Sequence, residues 1–389
     1  MKRILLVGCG AEIGSLLVGM IDPEKDGLEI AAILTHSIGT DPKHPTLTGV
    51  DSLIARVVLA QPHMLDHIRA AGSPEGLVVR GRTIPVYWGD ATTYDFSQLP
   101  GPYDVCVVAT SEKQVKDTAF MNRFMAAARF VVGVAESDGL PAIYYPLLDV
   151  PDRLLPVPPV PIGDSRVFCF GSCQSNGWQA LLRGLVGIVE TSGMTSFDLT
   201  AAELDIVHPD TPTGRLSTKS VAARDQDARN NFRPGFSQVE TVMKRLFPGR
   251  HTVNTISLRT LIMPPSYQIC RFFFRYELPG GRRLDHDAIV TGLRSAAQAR
   301  PYAVRVADLP LGSRGFEQCE SAAVILPQQS LLHFSDDPFR LGAQNGAPLS
   351  ELIVQAYVHN TRGYCRTIVE SMKYLTSGAK VRVFPATRT

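Results

Sequence analysis

The stretch that most limits what this chain can fold into is its first, KRILLVGCGAEIG, with the apolar run LEIAAIL following at residues 28–34. A buried strand from Arg3 to Val7 enters a glycine turn, a helix is expected over Ile13 to Ile21, and a second strand follows. Strand, glycine turn, helix and strand within about 30 residues make the βαβ unit of a nucleotide-binding sheet. Gly8, Gly10 and Gly14 are spaced GxGxxxG rather than GxGxxG, and the physical need is the same. Backbone N–H groups at a helix start approach a pyrophosphate only where no Cβ intervenes. Gly8, Gly10, Ile13 and Gly14 are therefore candidate cofactor contacts, joined by Thr110 at the end of the strand DVCVVAT.

The choice of cofactor turns on the end of the second strand, where an acidic residue usually accepts the ribose 2′-hydroxyl. Here it reads Leu34, Thr35, His36, Ser37, with no carboxylate. Those polar side chains suit a 2′-phosphate, so NAD and NADP both stay open. In the bland alternative they are loop residues and the cofactor is held elsewhere.

Further along, GLVVRGRTIPVYW (76–88) reads as a hairpin turning at Arg80-Gly81, and DVCVVAT (104–110) and RFVVGVA (129–135) as strands with a helix over 113–128 between them. The Pro-rich stretch VPDRLLPVPPVPIGD (150–164) resists helix and sheet and is the best linker candidate. Beyond it lie a strand at 196–207, an irregular region at 208–236 and a helix at 237–247. Two long strands at 255–263 and 266–278 suit an antiparallel sheet, and the last strong helix covers 364–375.

A chain of 389 residues suggests two domains of roughly 150–200 residues each. Basic and acidic residues nearly cancel, 39 against 37, without a long run of either sign, which argues against nucleic acid and anionic membrane partners. A small molecule is the expected partner. The apolar run before Gly8 is too short for a signal-peptide core, and no apolar stretch is long enough to span a membrane. Seven scattered cysteines, never paired as CxxC, argue against a zinc site and a disulfide framework, so a reduced, cytoplasmic protein is expected.

Residues 167–182 read VFCFGSCQSNGWQALL: a strand-like run, a Gly-Ser-Cys corner and a helix-like segment. A thiol at the first turn of a helix feels the positive end of the helix dipole, which favours the thiolate. Cys173 sits where that happens, whereas Cys169, inside the apolar strand, reads as an ordinary buried thiol.

The corner resembles the SCTTN motif of glyceraldehyde-3-phosphate dehydrogenases, with Ser172, Cys173 and Asn176 matching. The resemblance continues in order through the glycine turn, the 76–88 hairpin, GIVE at 187–190, NNFRPGFSQVETVMKRLFP with Asn231, Pro234 and Pro248 in step, and NTRGYCRTIVESMKYL. It implies an α/β protein with a Rossmann-type nucleotide-binding domain (1–171 and 360–389, the last helix returning to it) and an α+β catalytic domain (172–359) with a mainly antiparallel sheet. It also implies a homotetramer. In such enzymes the cysteine attacks an aldehyde, the hemithioacetal gives a hydride to NAD or NADP, and the thioester is then released. By motif match Cys173 is the nucleophile, its N–H serves the oxyanion, Asn360 orients the nicotinamide amide, and Arg259 binds a substrate anion.

The match departs from the family at the base. Laid over the family's strand after GIVE, this chain places Asp198 where a histidine is expected, and an ionised carboxylate there opposes a thiolate. His208, ten residues on and beyond the expected strand, either folds back toward Cys173 or is a surface-loop residue. The anion sites are altered too. Gln174 and Ser237-Gln238 replace hydroxyl and glycine contacts, and Ala201 replaces a threonine, while Ser172 and Arg259 remain. The expected activity is oxidation of an anionic aldehyde, phosphorylated or otherwise, other than the glycolytic substrate. Two alternatives stand beside it: non-redox acyl transfer or hydrolysis at Cys173, and a non-catalytic nucleotide-binding paralogue.

Overall fold

A computed structural model of the chain describes residues 1–36, 48–73, 75–209, 233–235, 237–248, 253–260, 262–309, 311–327, 332–336, 349–378 and 380–387. Ser37 and Asn231, named above, lie outside the described residues. The chain is mixed α/β with two large mixed sheets, and it divides into two units. One unit comprises Met1–Ile143, Pro159–Gly171 and Ile368–Thr389, and the other Tyr144–Pro158 and Ser172–Thr367. No described helix is long and apolar enough to cross a membrane.

In the first unit the opening reads β1 (Lys2–Val7), α1 (Glu12–Met20), α2 (Pro23–Asp26) and β2 (Leu28–Thr35). Then come α3 (Gly49–Ala60), β3 (Ile68–Ala71), β4 (Gly76–Val79), β5 (Arg82–Trp88), β6 (Tyr103–Val108), α4 (Glu112–Lys116), α5 (Thr118–Arg123), β7 (Ala128–Gly133), β8 (Val160–Pro161) and β9 (Val167–Cys169). The sheet order is β3-β4-β5-β2-β1-β6-β7-β9. From β5 to β9 every neighbour is parallel, and Ile4 to Val7 are all buried, as expected of a strand covered on both faces.

The β4–β5 hairpin turns at Arg80 (φ 47°) and Gly81 (φ 79°). Positive φ at both central residues is the type I′ geometry that matches strand twist. The single helix expected over 113–128 is broken at Asp117, whose backbone is extended (ψ 101°) and whose carboxylate caps α5 by accepting from the N–H groups of Ala119 and Phe120.

The second unit contains α6 (Cys173–Ser192), β10 (Ser196–Pro209), β11 (Arg233–Gly235), α7 (Val239–Leu246), β12 (Val253–Thr260), β13 (Ser266–Glu277), α8 (His286–Ala299), β14 (Val304–Val306), β15 (Ala323–Ile325), β16 (Leu332–Ser335) and β17 (Ser350–Val358). Its sheet runs β11-β12-β10-β13-β17-β15-β14, with β16 also on β17. The two long strands expected to suit an antiparallel sheet are not neighbours. β12 pairs with β10 in parallel, while β13 pairs with β10 antiparallel.

One face of this sheet is dry: Ala202, Leu204 and Ile206 of β10, Cys270, Phe272 and Phe274 of β13, and Leu352, Val354 and Ala356 of β17 are buried, and α6 packs on it. The crossing of α6 with α8 depends on two glycines. A Cβ on Gly187 would stand 2.4 Å from the Gly292 carbonyl oxygen, and one on Gly292 would stand 2.4 Å from the Ile188 Cα.

The Pro-rich stretch contains one of the four points at which the chain passes between the units, from Pro158 to Pro159. Residues 144–158 group with the second unit rather than the first. Side-chain bonds explain this: the Arg245 guanidinium donates to the Tyr144 hydroxyl at 2.8 Å, and Asp149 meets Arg300 at 3.1 Å and Arg183 at 3.5 Å. After the crossing, β8 pairs with β18 (Arg382–Val383). The last helix, α9 (Arg362–Thr376), belongs to the second unit through Thr367 and to the first from Ile368.

Candidate active site

Cys173 is the first residue of α6, and Ser172 is its cap. The Ser172 hydroxyl accepts from the Ser175 N–H at 3.2 Å, and the Ser175 hydroxyl accepts in return from the Ser172 N–H at 3.4 Å. This capping box holds the helix start. The Ser172 side chain, expected on an anion, is occupied in building the corner. Of the seven cysteines only Cys173 is not buried, and a thiol in the first turn faces the positive end of the dipole. Cys169 is buried and within 3.8 Å of Glu136 Oε1, an enclosed thiol as expected.

The side chains of His208 and Asn360 approach the Cys173 sulfur. His208 Nε2 is 3.9 Å away, and Asn360 Nδ2 donates to the sulfur at 3.5 Å. The histidine reaches it because β10 runs two residues further than the expected strand, to Pro209. Alternate residues of a strand share a face, and His208 continues the series Ala202, Leu204, Ile206 on the face where α6 packs. His208 is therefore a strand residue beside the thiol, which resolves the two readings of it.

Asp198 does not take the histidine's place. It lies at the opposite end of β10, ten residues or about 30 Å along an extended strand from His208, exposed and paired across the ladder with Arg275. Its cleft is lined by Arg153, Leu154, Pro156 and Phe247, away from the thiol.

Arg259 stands directly opposite His208 in the parallel β10–β12 ladder, and its Nη1 lies 2.6 Å from His208 Nδ1. The expected anion ligand is thus turned onto the imidazole. A Cβ on Gly235 would come within 2.9 Å of the Arg259 Cγ, so glycine makes room for the arginine stem.

His208 Nδ1 is also 2.5 Å from the Pro209 carbonyl oxygen. A guanidinium only donates, so a bond from Arg259 assigns the neutral ring's proton to Nε2, facing the sulfur. If Nδ1 instead donates to Pro209, Nε2 is left to accept a proton from the thiol or a bound hydroxyl. The two arrangements are tautomers of the neutral ring; only the second leaves Nε2 free to act as a base, and the imidazolium formed when it takes a proton is the corresponding acid.

Behind the thiol lies a buried polar chain. The Asn360 Oδ1 accepts from the Ser266 N–H at 3.0 Å, which fixes the amide so that Nδ2 faces sulfur. The Ser266 hydroxyl accepts from Gln174 Nε2 at 2.7 Å and donates to the Val358 carbonyl at 3.0 Å. Gln268 Nε2 donates to Gln174 Oε1 at 2.5 Å. Gln174, expected to contact substrate, points inward and braces the site. Ser237 is buried, its hydroxyl accepting from the Val239 N–H at the start of α7.

Sequence reading missed Ser266 and Gln268. The signal was present as two polar residues at alternate positions on the buried, otherwise largely apolar face of the strand SYQICRFFFRYEL.

The first unit holds a separate cleft of about 530 Å³ whose lining includes Gly8, Gly10, Thr35, His36 and Thr110. Gly8 has φ +90°, and a Cβ there would stand 2.5 Å from the Ala109 carbonyl oxygen. On Gly14 a Cβ would meet the Gly8 oxygen at 2.4 Å, so α1 starts hard against the turn. Ile13 is part-buried in the first turn of that helix. The Thr110 hydroxyl is enclosed and has no hydrogen-bond partner among the described residues. An open glycine cradle with an unsatisfied hydroxyl fits a phosphate-bearing nucleotide. Arg56 of α3 also lines this cleft, donating to the Gly10 carbonyl, and nothing in its amphipathic helix distinguished it beforehand.

No family model matches the chain, and no curated protein matches it.

Proposed function

We propose that this chain is a divergent dehydrogenase of the glyceraldehyde-3-phosphate dehydrogenase type, with a Rossmann-type nucleotide-binding domain. Its reaction is the NAD- or NADP-dependent oxidation of an anionic aldehyde, phosphorylated or otherwise, through a thioester on Cys173. The observation that carries this reading is the approach of His208 Nε2 and Asn360 Nδ2 to the one cysteine that is not buried. The ordered motif resemblance supplies the redox half. Gly8, Gly10, Ile13, Gly14, Thr35, His36 and Thr110 are the residues proposed to hold the cofactor.

The Cys173 thiolate attacks the aldehyde carbon, and the carbonyl oxygen takes up the negative charge. Asn360 Nδ2 and the Cys173 backbone N–H are donors for that oxygen. His208 Nε2 delivers the proton that makes the hemithioacetal hydroxyl. The nicotinamide cofactor, when bound, supplies the hydride acceptor. As the hydride leaves carbon, His208 Nε2 takes the hydroxyl proton back, leaving the thioester. Water or another acyl acceptor then attacks the thioester carbon, expelling the Cys173 thiolate. Arg259 offers its guanidinium to the substrate anion, and because it also touches His208 Nδ1, anion binding and base strength are linked.

A second reading keeps the thioester and omits the hydride. It is favoured by the Asn360 amide, which the Ser266 N–H holds toward the sulfur as a donor suited to acyl transfer or hydrolysis.

Reduced-nicotinamide absorbance with a panel of anionic aldehydes and both nucleotides tests the proposal. Turnover is expected, lost in Cys173→Ser and lowered about 10²- to 10⁴-fold in His208→Asn. Acyl loading of Cys173 from acyl donors, seen by mass spectrometry with no nucleotide dependence, would establish the second reading. Nucleotide binding with an unreactive thiol would identify a non-catalytic paralogue.

A further inference from the structure

We infer that the cleft of the first unit selects NADP over NAD, and that Arg56 is the residue that makes the selection; this rests on the dehydrogenase reading above. The end of β2 carries no carboxylate. Carboxylate recognition of the ribose 2′-hydroxyl requires an acid at the end of that strand, and Thr35 and His36 stand there instead. Among the described residues, the acid beside His36 is Asp90, whose Oδ1 is engaged within its own turn. Its Oδ1 accepts from the Thr92 N–H at 2.8 Å and the Thr92 hydroxyl at 2.7 Å, and His36 Nε2 is 3.8 Å away. Those bonds, the Thr92 N–H first, hold the Asp90 carboxyl below its usual range.

Two groups converge on one point in the cleft. From the position a Cβ would take on Gly10, the Thr35 hydroxyl oxygen is 3.8 Å away and Arg56 Nη1 is 3.9 Å away. Arg56 donates one hydrogen bond to the Gly10 carbonyl, which anchors the guanidinium at the mouth of the turn. A guanidinium has five N–H donors in a planar fork, and that fork matches phosphate oxygens in pairs. Thr35, nearly enclosed, adds a hydroxyl, and exposed His36 adds a ring N–H on the same side. A hydroxyl, an imidazole and an anchored guanidinium form a recognition set for a dianion. A neutral ribose hydroxyl makes use of little of it. The helix that brings Arg56 into place is itself secured by a capping box between Thr48 and Asp51.

Calorimetric titration of the full chain with NADP⁺ and NAD⁺, without substrate, tests this. The unmodified protein is expected to bind NADP⁺ about 10- to 100-fold more tightly, the range of one or two hydrogen bonds to charge. Arg56→Gln keeps a donor for the Gly10 carbonyl and removes the charge. It is expected to abolish the preference while leaving NAD⁺ affinity within about 3-fold of the starting value, and Arg56→Lys to fall between, having the charge without the fork. Equal binding of the two nucleotides by the unmodified protein, or equal weakening of both by Arg56→Gln, would overturn the inference and leave the dehydrogenase reading in place. Failure of both to bind would overturn the two together.

Discussion

His208 Nε2 lies 3.9 Å from the sulfur of Cys173 although 35 residues separate them in the chain. Proximity of an imidazole to a thiol at a helix start predicts selective alkylation. Iodoacetamide at neutral pH is expected to label Cys173 first, since burial pushes the Cys9 thiol up to about 12 and also raises those of Cys106 and Cys270. Peptide mapping by mass spectrometry reads the order of labelling. His208→Asn should slow labelling of Cys173 by about 10-fold or more; an unchanged rate would remove His208 from the site.

Asp198 gives the complementary expectation. Exposed and at the far end of β10, it belongs to the class of surface positions whose substitution changes stability by no more than about 0.5 kcal/mol. Asp198→Asn should leave both turnover and the alkylation rate of Cys173 within about 2-fold of the unmodified protein. A large loss in either would return the carboxylate to the mechanism.

Asn360 acts through its amide nitrogen on sulfur. Removal of a comparable oxyanion donor lowers kcat by about 10²- to 10³-fold, and Asn360→Ala is expected in that range. Asn360→Asp keeps the acceptor for the Ser266 N–H and sets a carboxylate against the thiol. It should slow alkylation more than the alanine does. Measuring both separates loss of a donor from added negative charge.

The paired glycines of the α6–α8 crossing predict a stability effect. Alanine in place of Gly187 gains about 1 kcal/mol of helix propensity. Its methyl, however, meets the backbone oxygen of Gly292 at 2.4 Å, where neither helix yields easily, and overpacking of this kind costs about 1–3 kcal/mol. Gly187→Ala is expected to lower the denaturation midpoint, for a net loss of up to about 2 kcal/mol. Chemical denaturation measures it, and a stabilised variant would mean that the helices separate freely.

Acid should weaken the turn that carries Asn360. Burial holds the neighbouring His359 imidazole below its usual range; the bond to the Glu317 carbonyl works against this, and Arg362 adds to it. Between the depressed folded value and the ordinary 6.5, the unfolded chain binds a proton that the folded chain does not. The contribution is therefore complete above about pH 6.5 and is lost as the pH falls through the folded value. Denaturation midpoints at about pH 8 and about pH 5.5 are expected to diverge less in His359→Gln than in the unmodified protein.

The parts of this fold legible in the sequence are those with local causes. Glycines that must approach backbone, an Arg-Gly hairpin turn and a serine-capped helix each announce themselves within a few residues. The partner of Cys173 did not, because counting from the end of α6 fixes neither how far β10 runs nor where it bulges. The register with β13 shifts between Leu199 and Ala201, so Asp198 and His208, an even number of residues apart, fall on opposite faces. Gln174, Ser266 and Gln268 escaped for another reason. Each is an ordinary polar residue alone, and only the pairing of β13 with β17 and the packing of α6 turn them into one buried chain.

The irregularity at Thr200 has a further consequence. Strand pairing gives β10 a spatial reading frame with two settings, and every residue after the bulge is read in the setting that directs Ala202, Leu204, Ile206 and His208 alike toward α6. The hydrophobic core and the reactive histidine are thus encoded on a single parity. An insertion or deletion of one residue between the bulge and Ala202 would exchange them together, so a slip at that point misplaces the base and exposes the core in one step.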